Sequence, residues 1–210
     1  MIIAIDGTLA SGKGTIARRL AVHYGLPHLD TGLLYRATGL AALKRGVSLD
    51  DEAALAALAS GLDWARLDDP HLRSGEVGAA ASQIAIFPKV RAALLQAQRD
   101  FAHQPGGAVL DGRDIGTVVC PAADIKLWID AAIDVRAGRR WRELRDQGNP
   151  LSLEDMLDQL RERDARDRSR SEAPMQRAAD ARLIDTTDLT IDAAVDKAVE
   201  VVESLNRPTP

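Results

Sequence analysis

Near the start of the chain the spacing of apolar positions switches from continuous to helical. "IIAI" (2–5) is a short β-branched run closed by Asp6 and a glycine loop, which predicts a buried strand. In "GKGTIARRLAVHYG" the apolar Ile16, Leu20 and Tyr24 fall on one helical face, and Gly25 is the stop signal. "LPHLD" predicts a second, short strand. "TGLLYRATGLAALKRG" predicts a helix from a Thr31 cap to Gly46, and "LDDEAALAALASG" another capped around Asp50. The ten residues 65–74, "ARLDDPHLRS", carry no period and read as a loop. "EVGAAASQIAIFPKVRAALLQAQRDFA" predicts one or two helices broken at Pro88.

The second half repeats the alternation. "GAVLDG" and "DIKLWIDA" predict strands. "DVRAGRRWRELRDQG" predicts a helix ending at Gly148, and "SLEDMLDQLRERDARDRSR" a long charged helix begun by Ser152 with an acid three residues on. "ARLIDTT" is the last strand, "TIDAAVDKAVEVVESL" the closing helix and "NRPTP" a loose tail. Short apolar strands alternating with helices predict an α/β fold with a parallel five-stranded sheet flanked by helices. Ligands in such sheets lie beyond the carboxyl ends of the strands.

Composition narrows the function. The 210 residues are 46% hydrophobic but only 3% aromatic, so the core is aliphatic. A net charge of −4 argues against a binder of nucleic acid polymers. The single cysteine, Cys120, can form neither an internal disulfide nor a zinc knuckle, and a reducing, cytoplasmic setting is expected. Asp6 breaks the first apolar run, so no signal peptide is expected, and no apolar stretch is long enough to span a membrane. Five basic residues are lysines and twenty-two are arginines, a bias ascribed to codon usage except where an arginine sits in a motif. His23, His28, His71 and His103 have no ligand-like spacing and read as solvated or packing residues.

The chemistry starts at "GTLASGKGT" (7–15). Gly7, four residues, Gly12, Lys13, Gly14 and Thr15 approximate the P-loop G-x-x-x-x-G-K-[ST]. Backbone N–H groups of Gly7, Thr8, Leu9, Ala10, Ser11, Gly12, Lys13, Gly14 and Thr15 would cradle triphosphate oxygens, helped by the positive end of the following helix. Lys13 would reach the β- and γ-phosphates. A P-loop alone does not separate a kinase from a GTPase or an ATP-driven switch. No Asn-Lys-x-Asp guanine reader is present. A small-molecule kinase needs a second substrate site, for which "DTGLLYRA", "AASQIAIFPKVR", "LDGRDIGTVVCP" and "RERDARDRSR" are the candidate segments.

Together these segments resemble bacterial cytidylate kinases, the CMP/dCMP kinases, along almost the whole chain. "LDGRDIGTVV" and the "RD-x-x-D-R-x-R" pattern (163–170) carry the resemblance most specifically. It implies a P-loop kinase core (1–46 and 104–210), a monophosphate-binding region (47–103) with a shortened insert, and a helical lid (139–155). It implies ATP as donor, Mg²⁺, and CMP or dCMP as acceptor, in a monomer. Asp114 would accept from the cytosine amino group, with Ser82 and Arg91 at the remaining edge, so that uracil leaves Asp114 facing an oxygen. Arg36 and Arg113 would clamp the monophosphate, Asp167 would bond the ribose, and Arg163 and Arg170 would reach phosphates. Lys13, Arg113, Arg163 and Arg170 are thereby the catalytic cations. Thr31 and Tyr35 would line the pocket, and Arg136 or Arg140 would meet the donor base or its phosphates. Thr15 and, through water, Asp111 are the candidate Mg²⁺ partners. The chain departs from the family pattern at "TLAS" in the loop, at Cys120 and in the trimmed segment 65–74. The rival readings are another P-loop small-molecule kinase and a non-catalytic nucleotide-binding regulatory module.

Overall fold

A computed structural model describes residues 1–63, 67–146 and 151–206. Strands β1 (Ile2–Gly7), β2 (His28–Asp30), β3 (Ala108–Gly112), β4 (Ile125–Asp130) and β5 (Arg182–Asp185) form one sheet in the order β2-β3-β1-β4-β5. Every pairing is parallel, with Asp6 of β1 opposite Gly112 on one side and Trp128 on the other. All strand carboxyl ends therefore share one edge, and the loop after the central strand β1 opens there.

The helices are α1 (Lys13–Tyr24), α2 (Thr31–Arg45), α3 (Glu52–Ser60), α4 (Gly75–Ile84), α5 (Pro88–Ala102), α6 (Ile133–Asp146), α7 (Leu153–Arg168) and α8 (Ile191–Asn206). They cover both faces of the sheet, as a parallel sheet requires. Alternation along β1 sorts the two cores. Ile3 and Ile5 point to the face packed by Ile16 and Leu20 of α1 and Val202 of α8. Ala4 points to the other, where Leu34, Leu55, Ile84, Val90 and Leu94 of α2 to α5 gather. A separate cluster of Ala137, Leu144, Met156 and Leu160 joins α6 to α7. Among the described residues no helix is long and apolar enough to cross a membrane.

Several local expectations need correction. The cap of α2 is Asp30, whose carboxylate accepts from Gly32 N, and not Thr31, whose hydroxyl donates to Asp111 O at 2.8 Å. The cap of α3 is Asp51 rather than Asp50. Pro88 separates two helices, α4 and α5. The aperiodic segment before α4 holds a 3₁₀ turn, Pro70–Arg73, whose Leu72 is buried. Residues 64–66, the expected α6 terminus at Gly148 and the tail at 207–210 lie outside the described residues. A five-residue π turn, Ile115–Val119, follows β3 in "LDGRDIGTVVCP", where periodicity gives no signal for it.

Candidate functional site

The glycine loop is shaped by contacts from outside itself. Gly7 has φ +151°, and a Cβ there would lie 1.9 Å from Ile129 O, so β1 can leave the sheet only as glycine. Gly12, at φ +91°, begins α1. Thr8 Oγ1 donates to Asp130 Oδ1 at 2.7 Å, and Thr186 Oγ1 donates to Ser11 O at 2.8 Å. Ala10 adopts φ +61°, a left-handed conformation that strains an L residue with a Cβ. Ala10→Gly relieves that strain at the expense of a looser unfolded chain. The expected net is a gain of up to about 1 kcal/mol, read from urea midpoints.

Lys13 is buried, with Nζ 3.5 Å from Thr8 O. Burial first, then the nearby Arg113 guanidinium, pushes its pKa down to about 8, while Asp111 and Asp30 oppose the shift. One cavity of ≈170 Å³ runs from Lys13 and Gly14 past Asp30, Thr31, Tyr35, Arg36, Ser82, Arg91, Asp111, Arg113, Asp114 and Arg163 to Asp167 and Arg170. Its lining holds six cations (Lys13 and five arginines) against four aspartates. That surplus suits a phosphorylated ligand.

At one end Asp114 is buried and ion-paired with Arg91, which also lies 5.8 Å over the Tyr35 ring. Burial pushes the Asp114 carboxyl up, against the pull of Arg91 and Arg170. Asp167 receives both Arg113 (3.3 Å) and Arg170, the cations that hold its carboxyl below its ordinary range despite burial. Arg163 donates to Gly78 O at 3.1 Å, and burial with Arg113 beside it brings its pKa down to about 9. Nε of Arg163 and Nε of Arg170 are buried donors with no acceptor among the described residues. Arg36 donates to Leu72 O at 2.6 Å and to Ser74 O at 3.3 Å, so it ties the trimmed segment to α2 while lining the cavity. Ser82 Oγ accepts from Arg166, a residue the pattern gave no reason to select.

Three further residues were illegible in the sequence. His28 is no bystander: its Nε2 lies 2.8 Å from Asp111 Oδ1. Asp30 lies beside Lys13 and Asp111, and burial followed by Asp111 raises its pKa. Asp6 is buried and accepts from Ile115 N at 2.7 Å and Gly116 N at 2.8 Å, which fixes the π turn directly after Arg113 and Asp114. Burial outweighs those bonds and pushes its carboxyl up to about 7. A carboxyl raised on folding favours the folded state most when protonated. Its contribution is complete below the ordinary value of 3.8 and is lost as pH rises through about 7. The wild type should thus lose roughly 1–3 kcal/mol relative to Asp6→Asn between pH 4 and 8, as urea melts at each pH would show.

The donor-side arginines fall differently from the expectation. Arg136 is buried and committed to protein, donating to Ala131 O (2.9 Å), Leu9 O (3.3 Å) and Asp164 Oδ2 (2.7 Å). A guanidinium so engaged is not available to stack on a base. Arg140 pairs with Glu143 at 2.7 Å. It is Arg139 that reaches Thr186, at 3.0 Å to Oγ1 and 2.6 Å to O. Arg139 and Thr186 share a cavity of ≈290 Å³ with Ser11, Gly12, Thr15, Ile16 and Leu189, separate from the one that Lys13 and Gly14 line. Thr15 Oγ1 accepts from Arg18 at 3.3 Å. Cys120 is a buried, free thiol, as a small packing residue should be.

Comparison with known proteins shows the family. The family model described as "Cytidylate kinase" matches residues 3–204. A cytidylate kinase of Rhodopseudomonas palustris (strain BisA53) is 52% identical over 205 residues, covering 98% of this chain and 97% of that protein. One from Xanthobacter autotrophicus (strain Py2) is 56% identical over 204 residues, covering 97% of this chain and 98% of that protein. Among solved structures, an uncharacterized protein from Eubacterium ventriosum aligns with a TM-score of 0.56 at 16% identity, over 97% of this chain and 99% of that one. A protein from Thermus thermophilus aligns with a TM-score of 0.52 at 20% identity, over 99% of this chain and 98% of that one. At those identities the structures share the fold alone.

Proposed function

This chain belongs to the cytidylate kinase family, and from that premise we propose that it transfers the γ-phosphoryl group of ATP to CMP or dCMP. The products are ADP and CDP or dCDP. The observation that carries the reading is the single cavity joining Lys13 of the phosphate loop to the Arg91–Asp114 pair. Donor and acceptor subsites are thereby continuous, which a nucleotide sensor does not need. The relatives named as kinases likewise disfavour a non-catalytic module.

In this reading the triphosphate lies on residues 7–15 and the donor base enters the cavity of Arg139, Thr186 and Leu189. The cytosine amino group donates to Asp114, whose orientation Arg91 fixes. Ser82 serves the remaining base edge, and Arg36 and Arg113 take the monophosphate. Asp167 takes the ribose hydroxyls and holds Arg113 and Arg170 near the reacting phosphates. The acceptor phosphate is already ionised, so an oxygen of it attacks the γ-phosphorus in line without a general base. Lys13, Arg163, Arg113 and Arg170 neutralise charge as it develops, and the partnerless N–H groups of Arg163 and Arg170 are donors for it. Asp111 and Asp30, which line the cavity beside Lys13 and Gly14, are hard oxygen donors of the kind that suits Mg²⁺, whereas the Thr15 hydroxyl accepts from Arg18 and lines the other cavity. That ion, when bound, supplies charge neutralisation on the donor phosphates. We assign 1–46 and 104–210 to the core, 47–103 to the acceptor region and 139–155 to the lid.

The test is ADP release with ATP and Mg²⁺, run in parallel on CMP, dCMP, UMP, AMP and no acceptor. CMP and dCMP should turn over well above the rest. Equal rates on all acceptors, or none on any, would sink the assignment.

A further inference from the structure

Leu9 stands where three parts of the molecule meet. It belongs to the phosphate loop, yet its side chain packs on the apolar cluster of Ala137, Leu144, Met156 and Leu160 that joins α6 to α7. It also lines the acceptor cavity and, on its other side, a cavity of ≈380 Å³ between α4 and the α6–α7 hairpin. Its carbonyl accepts from Arg136 Nη1 at 3.3 Å. The same guanidinium donates to Ala131 O just beyond β4, and to Asp164 Oδ2 on α7 at 2.7 Å. Both side chains of that ion pair are only 4% exposed, and Asp164 Oδ1 has no partner among the described residues.

A buried ion pair with one orphan oxygen is a poor way to hold two helices together, because desolvation offsets most of the attraction. Apolar side chains already join α6 to α7 beside it. What the pair adds is placement. Asp164 follows Arg163 directly and precedes Asp167 by three residues, so fixing Asp164 fixes the face of α7 that lines the acceptor cavity. One guanidinium thus connects the backbone of the donor loop to the helix bearing the acceptor-side cations.

We infer that Arg136 and Asp164, seated on Leu9, are positioning residues that couple donor binding to acceptor binding. This rests on the assignment of ATP and CMP to the two ends of the site. A triphosphate that orders the loop fixes the Leu9 carbonyl and side chain. Arg136 and Asp164 then hold Arg163 and Asp167 in the arrangement that receives the acceptor. By reciprocity, CMP tightens the donor by the same factor.

The test is calorimetric titration of CMP into the full chain, alone and with saturating Mg²⁺ and a non-hydrolysable ATP analogue. In the wild type the analogue should tighten CMP by about tenfold, within the usual range for coupled sites. Asp164→Asn keeps the shape but removes the charge, and should reduce that factor below about 2, whatever its effect on CMP affinity in the absence of analogue. Leu9→Ala should reduce the factor too, and Leu9→Met, which conserves volume, should restore it. A purely structural role lowers the melting temperature and leaves the factor intact. A wild-type factor of 1, or variants that keep the full factor, overturns the coupling while leaving the kinase assignment standing. Failure of the wild type to bind CMP at all overturns that assignment, and the coupling with it.

Discussion

Lys13→Met is expected to lower kcat by on the order of 10³-fold or more, while raising the melting temperature at pH 7. Both effects come from one fact. The ammonium is buried beside Arg113 and Arg163, and its pKa falls to about 8. A lysine whose folded pKa lies below its ordinary 10.5 contributes its full stability only above that value. That contribution is lost as pH falls through about 8, so at pH 7 the charge is a burden on the fold. Methionine of similar length removes the burden. In the transition state the burden becomes the asset, because the γ-phosphoryl oxygens meet a cation already stripped of water. ADP-release kinetics and thermal melts on the same preparation check both halves. A variant that keeps its rate would remove Lys13 from the reaction.

Asp114→Asn is expected to lower kcat/KM for CMP by on the order of 10²–10⁴ and to raise it for UMP. The carboxylate only accepts, and cytosine offers a donor where uracil offers an acceptor. In a closed site the mismatch leaves buried groups unpaired, which is why discrimination of this kind is large. The amide reverses the pattern, since its NH₂ can face the uracil oxygen while its oxygen still accepts from Arg91. Asparagine is chosen over alanine because its amide oxygen keeps a hydrogen-bond acceptor for the buried Arg91 guanidinium, which alanine would leave without one on this side. Side-by-side kinetics on CMP and UMP decide the matter. Equal losses on both substrates would show that Asp114 supports the fold and does not read the base.

The two results would bracket a site that was unevenly legible. Strand, glycine loop and helix from Ile2 to Tyr24 could be read directly, because each depends on neighbours in sequence: β-branched packing, glycine geometry and helical period. Counting puts Arg163, Asp167 and Arg170 on one helical face, but α7 ends at Arg168 and only Arg163 and Asp167 lie on it; Arg170 reaches the same cavity from just beyond the helix end. Their partners could not be counted. Asp6 reaches a turn 110 residues away, and His28 reaches Asp111 across 83. Arg136 looks from sequence like a free cation one turn before Arg140. Only the packing of α6 against α7 shows it closed over Asp164, which leaves Arg139 to face Thr186 beside the loop.

The sequence by itself determined the class of fold and the pattern of the phosphate loop. Those properties are written in local spacing and in side-chain chemistry. The tertiary structure alone decided which charges face each other. Parallel register sets Asp6 against the turn after β3 and Asp30 opposite Asp111. Burial then moves Asp6 and Lys13 toward neutrality in the range where the enzyme works. Desolvation and charge proximity depend on distances through space, and those arise only once the strands have chosen their neighbours.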